Sequence, residues 1–191
     1  MTNKSSVEII QSWVENFSDK LYSWALYKTS SKETAEDLVQ ETFLAACESL
    51  KKFEGKSAPQ TWLLGILNHK IADYFRKIYR NPALNNSEKE TTFSNDFFDK
   101  NGDWIKKERP QSWDNEGQNL LDDHEFVQVL QVCLKDLPDS WFAAINLKFL
   151  EQKKGDVICQ ELQLTATNYW QILHRAKLQL RKCLEIKWFK K

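Results

Sequence analysis

A stripe of side chains suited to burial constrains the fold of this chain more than any other feature. Between residues 35 and 50 such side chains recur every three or four positions, at Ala35, Leu38, Val39, Thr42, Phe43, Ala46 and Leu50. That period places them on one face of an α-helix. Ser30, with Glu33 three residues later, has the spacing of a capping box. The stripe therefore predicts a helix that begins near residue 30 and buries one face.

The opposite face of this helix is acidic and polar, with Glu36, Asp37, Gln40 and Glu41. Asp37 and Glu41 are like charges four residues apart, which costs an isolated helix roughly 0.2–0.5 kcal/mol. A cationic partner that bound there would reverse this cost. The alternative interpretation is a solvated acidic face with no partner.

The remainder of the chain predicts an all-α protein with two small helical domains and a long acidic linker. Glycine and proline are scarce, at five and four residues, and helical periodicity extends over residues 5–80 and 122–191. Residues 81–121 have no periodicity and form a segment too long for an ordinary connection within a compact domain. The isolated aromatic residues of this linker predict that it docks on a domain or a partner. A fully mobile tether is the alternative.

The formal net charge of zero conceals a marked asymmetry. Residues 1–80 have a net charge of +1, residues 81–123 of −5 and residues 124–191 of +4. From Arg175 to the end there are seven basic residues and one acidic residue. A basic end of this kind is compatible with nucleic-acid binding, which the overall charge would have argued against.

The second domain contains a helix-turn-helix pattern. A short helix around residues 157–162 is followed by a tight connection and by Thr165, a good N-cap for a longer helix. The first part of such a second helix enters the DNA major groove, where Asn, Gln and Arg read base edges. The residues placed to touch bases or phosphates are Thr167, Asn168, Gln171, His174 and Arg175. An amphipathic bundle helix with a polar outer face is the alternative.

Other classes of protein and site find little support. The four cysteines form no C-x-x-C pair, so we predict neither a zinc site nor a disulfide framework, and we interpret all four as small buried hydrophobic residues. We find no nucleophile–base pair, no metal-ligand spacing and no phosphate-binding glycine loop, so no cofactor and no enzymatic activity are predicted. The absence of a long apolar run and of a signal pattern predicts a cytoplasmic chain without membrane insertion.

Motifs in both domains together resemble a known family. Residues 35–43 (AEDLVQETF), 61–63 (TWL) and 73–76 (DYFR) are similar to the first domain of the extracytoplasmic-function (ECF) sigma factors, small bacterial members of the sigma-70 family. Residues 137–138 (LP), 157–159 (VIC) and 168–180, which include HRAK at 174–177, are similar to the second domain of that family. The resemblance covers about residues 7–80 and 122–185, and it is specific because both motif sets occur in this order in a short chain.

The resemblance implies a protein that binds core RNA polymerase, directs it to promoters and helps to open the DNA duplex. Residues 5–80 would be sigma region 2, which binds the polymerase and the minus-10 element. Residues 81–121 would be the linker, and residues 122–191 would be sigma region 4, which reads the minus-35 element. Expected partners are core polymerase, through its β′ clamp helices and β flap, promoter DNA, and an anti-sigma factor that holds the chain inactive.

Individual roles follow from the same resemblance. Asp37, Gln40 and Glu41 would contact the basic clamp helices of the β′ subunit. The loop at residues 51–58 and the third helix would bind the opened minus-10 element, with Phe53, Lys56, Lys70, Arg76 and Lys77 as the local candidates. The helix-turn-helix residues would read the minus-35 element. The chain departs from many members at Trp170 and Ile172, where those carry Lys or Arg.

A stand-alone helix-turn-helix regulator that binds DNA without polymerase is the competing hypothesis. In that case the acidic helix would be a solvated face and nothing more. The two hypotheses differ in whether DNA affinity requires core polymerase.

Overall fold

The structure, a computed structural model, describes residues 6–80, 97, 104–106, 109 and 120–190. The chain divides into two compact units, Met1–Lys77 and Ile78–Lys191. Every element in the described ranges is a helix, which confirms the predicted all-α class. None of these described helices has both the length and the apolar character that a membrane span requires. Most of the predicted linker, residues 81–121, lies outside the described residues.

Three long helices build the first unit. They are α1 (Ser6–Thr29), α2 (Lys32–Ser49) and α3 (Pro59–Arg80), with a short 3₁₀ turn at Leu50–Lys52 after α2. Proline is favoured at the first position of α3 because its missing N–H would be unpaired there in any case.

The start of α2 corrects one detail of the prediction. Ser31, not Ser30, is the N-cap, and its hydroxyl accepts a hydrogen bond from the Thr34 amide at 3.3 Å. Ser30 instead has a positive φ of 58° and reverses the chain between α1 and α2. The predicted capping box at Ser30 and Glu33 is therefore wrong by one residue. Either of the two adjacent serines could supply a capping hydroxyl, and the sequence does not distinguish them.

The apolar stripe of α2 forms part of the core of the first unit. All of its predicted members are buried except Leu50, which is half-buried. They pack in a unit whose other fully buried side chains include Leu21 of α1 and Leu63 and Leu67 of α3. Trp24 Nε1 donates a hydrogen bond to Asn68 Oδ1 at 2.9 Å, which joins α1 to α3. The helix predicted from the stripe is confirmed together with its buried face.

Four helices, two π-helical turns and a 3₁₀ turn at Leu120–Asp122 lie in the described part of the second unit. The helices are α4 (His124–Lys135), α5 (Asp139–Ile145), α6 (Gly155–Leu162) and α7 (Ala166–Leu184). Single π-helical turns follow α5 at Asn146–Leu150 and α7 at Glu185–Phe189. Helices α5, α6 and the first half of α7 supply one set of buried residues, which includes Trp141, Ile158, Leu162, Tyr169 and Leu173.

A second cluster joins α4 to the last part of α7. Phe126, Cys133 and Leu184 are buried in it, and Trp188 lies edge-on to Phe126 with 5.4 Å between ring centroids. Lys187 Nζ lies 2.9 Å from Asp136 Oδ2. The end of the chain is therefore folded back onto α4.

The cysteines require a correction. Cys133 of α4 and Cys183 of α7 form a disulfide, with Cα atoms 5.7 Å apart, and Cys47 is exposed. The prediction of no disulfide and of four buried thiols is wrong for these three residues. Cys133 and Cys183 are 50 residues apart on different helices, so their pairing depends on tertiary packing that spacing does not reveal.

One linker aromatic is placed within the second unit. Phe97 is 6% exposed, and the Lys182 ammonium of α7 lies 5.3 Å from the centre of its ring. Trp104 lies edge-on to Phe97 with centroids 6.5 Å apart, and the Ile105 amide donates to the Phe97 carbonyl at 3.1 Å. Phe97 therefore contacts α7, and the docking of the rest of the linker stays a prediction.

Candidate functional site

The outer face of α2 presents all three residues predicted for polymerase binding. Asp37, Gln40 and Glu41 are exposed, whereas the stripe behind them is buried. Leu44 lies one turn further along the same face and is 65% exposed. Steps of three, four and seven residues bring these four side chains onto one side of the helix. Sequence reasoning missed Leu44, although its spacing from Gln40 and Glu41 was a usable signal.

Glu41 has a basic neighbour in the same unit. Lys70 Nζ of α3 lies 3.1 Å from Glu41 Oε2, and the two side chains are 34% and 51% exposed. The structure thus joins two residues that the sequence assigned to different surfaces. An exposed ion pair of this kind contributes about 0–1 kcal/mol, so a partner can replace either member at low cost.

The loop after α2 is fixed by aromatic packing. Phe53 is half-buried, and its ring centroid lies 5.2 Å from that of Trp13 and 4.9 Å from that of Trp62. Trp13 and Trp62 are themselves in edge contact at 5.8 Å. Trp62 therefore belongs to a packed cluster, and Phe53 anchors the loop to it. Gly55 in this loop has a φ of +68°, a conformation that favours glycine.

The other candidates for minus-10 binding have different surroundings. Lys56 is 85% exposed at its side chain and pairs with Glu54 in the same loop. Arg76 Nη1 is 2.7 Å from Asp73 Oδ1, one turn away on α3. Lys77 is exposed. The structure therefore distributes Phe53, Lys56, Lys70, Arg76 and Lys77 along the loop and α3 and does not bring them into one pocket.

Helices α6 and α7 have the local geometry of a helix-turn-helix. Gln163 ends α6 in the left-handed conformation with φ 56°, and the Leu164 amide donates to the Cys159 carbonyl at 2.9 Å. The Thr165 hydroxyl then caps α7 by accepting from the Asn168 amide at 3.2 Å. These bonds make the connection tight, and the predicted N-cap is confirmed.

Ion pairs fix the turn that precedes α6. Lys153 Nζ lies 2.6 Å from Glu161 Oε2 and 3.3 Å from Glu151 Oε2. Burial alone would lower the pKa of Lys153, but the hydrogen bond and charge of Glu161 and the charge of Glu151 outweigh it and raise this pKa above 10.5. The turn is thereby tied to the helix that supports α7.

The outer face of α7 is polar, basic and open. Thr167, Asn168, Gln171, His174 and Arg175 are all exposed. The buried members of the same helix, Tyr169, Ile172, Leu173 and Ala176, face the core.

The two positions noted as departures in the sequence resemblance, Ile172 and Trp170, have different environments. Ile172 is 8% exposed and is a packing residue, whereas Trp170 is 56% exposed beside the polar face. Tyr169 lies next to Trp170 with ring centroids 5.1 Å apart. A β-carbon at Gly155 would lie 3.3 Å from the Tyr169 ring and 4.0 Å from Trp170, so the first residue of α6 is close to both rings.

No cluster of three or more His, Cys, Asp or Glu side chains that could hold a metal ion occurs in the described part of the chain. Burial raises the pKa of the half-buried Cys159 thiol, and the Asp156 carboxylate raises it further, so Cys159 is not an activated thiolate.

Comparisons with known proteins identify the family. Residues 13–81 match the sequence family described as Sigma-70 region 2. A probable RNA polymerase sigma factor of Haemophilus influenzae is 35% identical over 168 residues, which cover 88% of this chain and 86% of the relative. The ECF RNA polymerase sigma factor SigX of Bacillus subtilis is 28% identical over 186 residues, covering 94% of this chain and 85% of SigX. The chain belongs to the ECF sigma factors of the sigma-70 family.

The ECF resemblance drawn from residues 35–43 and from the second domain is thereby confirmed. As a sigma factor, the protein binds core RNA polymerase and directs the initiation of transcription. Sigma factors are not known as enzymes. Among solved structures, the sigma factor RpoE of Bartonella quintana in complex with the anti-sigma factor NepR has a TM-score of 0.41 and 18% identity, and the match covers 94% of this chain and 98% of RpoE.

Proposed function

We propose that this sigma factor docks on core polymerase through the exposed face of α2, with Asp37, Gln40 and Glu41 against the β′ clamp helices. The support is the separation of the two faces of α2, one buried and one exposed and acidic. The 65% exposure of Leu44 on the same face adds an apolar contact, which is typical of the centre of a protein interface.

The experiment is a charge reversal with a matched control. Asp37→Arg should abolish co-purification with core polymerase and run-off transcription, because like charges would meet the basic partner. Glu15→Arg makes the same change in charge at an exposed position of α1 and should leave both unchanged. Thermal unfolding of each variant shows that the fold is retained. Full binding by a folded Asp37→Arg variant would contradict the docking proposal.

We propose that the loop at residues 51–58 and the length of α3 hold the opened minus-10 element. The aromatic cluster with Phe53 fixes the loop, and Lys56, Lys70, Arg76 and Lys77 supply cations along α3 and the loop. Cationic side chains beside a single DNA strand attract its phosphates. A base that is turned out of the strand requires a polar pocket. Lys70 would exchange Glu41 for a phosphate on binding.

This proposal predicts a defect in promoter opening rather than in polymerase binding. The Lys56→Ala and Lys77→Ala double variant should slow the exposure of promoter thymines to permanganate, while its affinity for core polymerase stays the same. Lys32→Ala removes an exposed lysine at the start of α2 and should have no effect on opening. Equal opening by the double variant and the wild type would contradict the assignment.

We propose that α7 reads the minus-35 element and that the second unit contacts the β flap. The exposed Asn168 and Gln171 suit bidentate bonds to bases, and Arg175 suits a base or a phosphate. Gln171→Ala should therefore relax the preference at one base pair by about 1–3 kcal/mol in a competition among promoter variants. An unchanged base preference would contradict a contact between Gln171 and a base.

The same proposal completes the domain and partner assignments. Residues 5–80 act as region 2, residues 81–121 as the linker and residues 122–191 as region 4, in a cytoplasmic chain that acts by binding and not by catalysis. An anti-sigma factor is a further partner, as the family resemblance implies. Its test is direct: the purified anti-sigma candidate must suppress run-off transcription by the wild type in proportion to its concentration.

A further inference from the structure

We propose that Cys133 and Cys183 are a redox-active pair that controls promoter recognition by the second unit. The two residues form a disulfide between α4 and α7 in this structure. A sigma factor must meet polymerase and DNA in the bacterial cytoplasm, where thiol systems keep most cysteines reduced. A disulfide in such a protein is therefore expected to open and close, as redox-sensing bridges do.

The geometry allows the pair to react in both directions. Their Cα atoms are 5.7 Å apart, within the usual range for a disulfide. Cys133 is 1% exposed, whereas Cys183 is half-buried. The Cys183 sulfur is thus the atom that a reagent reaches first, and Cys133 is the partner that completes or leaves the bond.

The co-reactants are a peroxide and a dithiol. In closing, the Cys183 thiol loses its proton, the thiolate attacks hydrogen peroxide to form a sulfenic acid, and the hydroxide that leaves takes up the proton as one water. The Cys133 thiol then displaces the second water as the S–S bond forms, so two thiols lose two electrons and peroxide gains them. In opening, a dithiol of the thioredoxin class attacks the Cys183 sulfur and releases Cys133. Its second thiol then frees Cys183, and the reductant becomes the disulfide.

The bridge joins α7, the helix that presents the proposed DNA-reading face, to α4. α7 is continuous from Ala166 to Leu184, so its first half exposes Gln171 and Arg175 while its end carries Cys183. Around the bridge, Trp188 packs against the buried Phe126, and the half-buried Lys187 pairs with Asp136. Opening the bridge removes the covalent tie and leaves α4 held to α7 by non-covalent contacts, which are these two and the packing of Leu184 and Leu180 against Phe126 and its neighbours.

The oxidised form, in which a covalent tie is added to this packing, is therefore the one that holds α7 more firmly for upstream promoter DNA. This step rests on the proposed role of α7. It predicts that reduction lowers transcription from a minus-35-dependent promoter by about fivefold or more, the usual range of coupling between two sites.

The test uses the full chain, core polymerase and a promoter fragment. The promoter is identified beforehand by in vitro transcription of bacterial genomic DNA. The sigma factor is equilibrated with hydrogen peroxide or with dithiothreitol, desalted, and divided between a thiol count by maleimide mass tagging and a run-off assay. The expected result is two free thiols after peroxide, four after dithiothreitol, and lower transcription in the second sample. Peroxide should restore both values.

Variants separate this pair from the other cysteines. Cys47→Ser with Cys159→Ser should keep the full redox response, whereas Cys133→Ala with Cys183→Ala should transcribe equally after both treatments. If the double alanine variant does not fold, Cys183→Ser at the half-buried position removes the bridge in its place.

Three results would overturn the proposal. They are four free thiols after peroxide, transcription that is the same in both thiol states, and a redox response that persists without the pair. Failure of the proposed role of α7 is distinguishable, because the thiol count would still change while Gln171→Ala had no effect on promoter preference.

Discussion

At the scale of single residues, Tyr169 is a buried aromatic side chain whose hydroxyl has no hydrogen-bond partner among the described residues. Burial raises the pKa of this phenol, and the neighbouring Cys159 raises it further. Removing an unpaired buried hydroxyl removes a desolvation cost without loss of packing. Tyr169→Phe should therefore leave the free energy of unfolding unchanged or raise it by up to about 1 kcal/mol, as measured by urea denaturation.

Truncation of the same side chain gives the contrast. Tyr169→Ala should lower the free energy of unfolding by about 3–5 kcal/mol, because a large buried ring is lost. A loss of more than about 1 kcal/mol in Tyr169→Phe would reveal a polar partner, such as a bound water.

Lys153 gives a prediction with a defined pH dependence. Its pKa is raised in the folded protein because Glu161 and Glu151 outweigh its burial. A raised pKa means that the stabilisation is fully present below 10.5 and is lost as pH rises through the folded value. Lys153→Gln should be destabilised relative to the wild type by roughly 0.5–1 kcal/mol at neutral pH, and the gap should narrow above 10.5. Urea denaturation across this range measures it, and a constant gap would contradict the ion-pair explanation.

At the scale of elements, α3 contains a destabilising glycine, Gly65, in its interior. The residue is exposed in the helix interior, and no atom beyond its own stretch of the helix lies within 4 Å of the position that its β-carbon would occupy. Gly65→Ala should therefore raise the free energy of unfolding by about 1 kcal/mol, since alanine loses less backbone entropy in a helix.

Gly155 provides the matched control on another helix. A β-carbon there would lie 3.3 Å from the Tyr169 ring, so Gly155→Ala must displace a buried side chain and should destabilise the protein. Thermal unfolding of both variants measures the difference. Equal stabilisation by the two substitutions would show that packing at Gly155 yields more easily than this geometry indicates.

The helices and their caps were predictable from the sequence because the signals for them are local. The stripe from Ala35 to Ala46, the proline that opens α3 and the Thr165 cap each depend on residues within a few turns. The disulfide of Cys133 and Cys183 and the pairing of Glu41 with Lys70 join residues 50 and 29 positions apart. No periodicity carries that information, so these tertiary contacts were missed. The exposure of Leu44, by contrast, follows from the helical period, because Leu44 lies three and four residues after Glu41 and Gln40.

At the scale of the whole molecule, the charge is divided between the parts of the chain. Residues 124–191 hold a net charge of +4, and residues 81–123 a net charge of −5. Negative charge repels the DNA phosphates and positive charge attracts them. The acidic segment therefore opposes the DNA affinity of the basic end. A chain with zero net charge should therefore rely on core polymerase for most of its attraction to DNA.

The division of charge yields a quantitative prediction for the free protein. Without polymerase, the full chain should bind a minus-35 duplex no more tightly than on the order of 10⁻⁶ M at physiological salt, as non-specific binders do. The logarithm of the binding constant should fall with the logarithm of salt concentration by about 0.9 for each phosphate contacted. Fluorescence anisotropy with a labelled duplex measures both quantities.

Two variants assign this slope to the reading helix. Arg175→Ala should reduce the magnitude of the slope by about 1 if its guanidinium binds a phosphate, and should leave the slope unchanged if it reads a base. Lys135→Ala removes the same charge from the exposed surface of α4 and should leave it unchanged in either case. Sequence-specific binding by the free chain at nanomolar concentrations would instead support a regulator that acts without polymerase. In that case the docking proposal for α2 would be lost. The exposure of Leu44 among acidic side chains would then be left without an explanation, since docking on polymerase is the reason proposed for it.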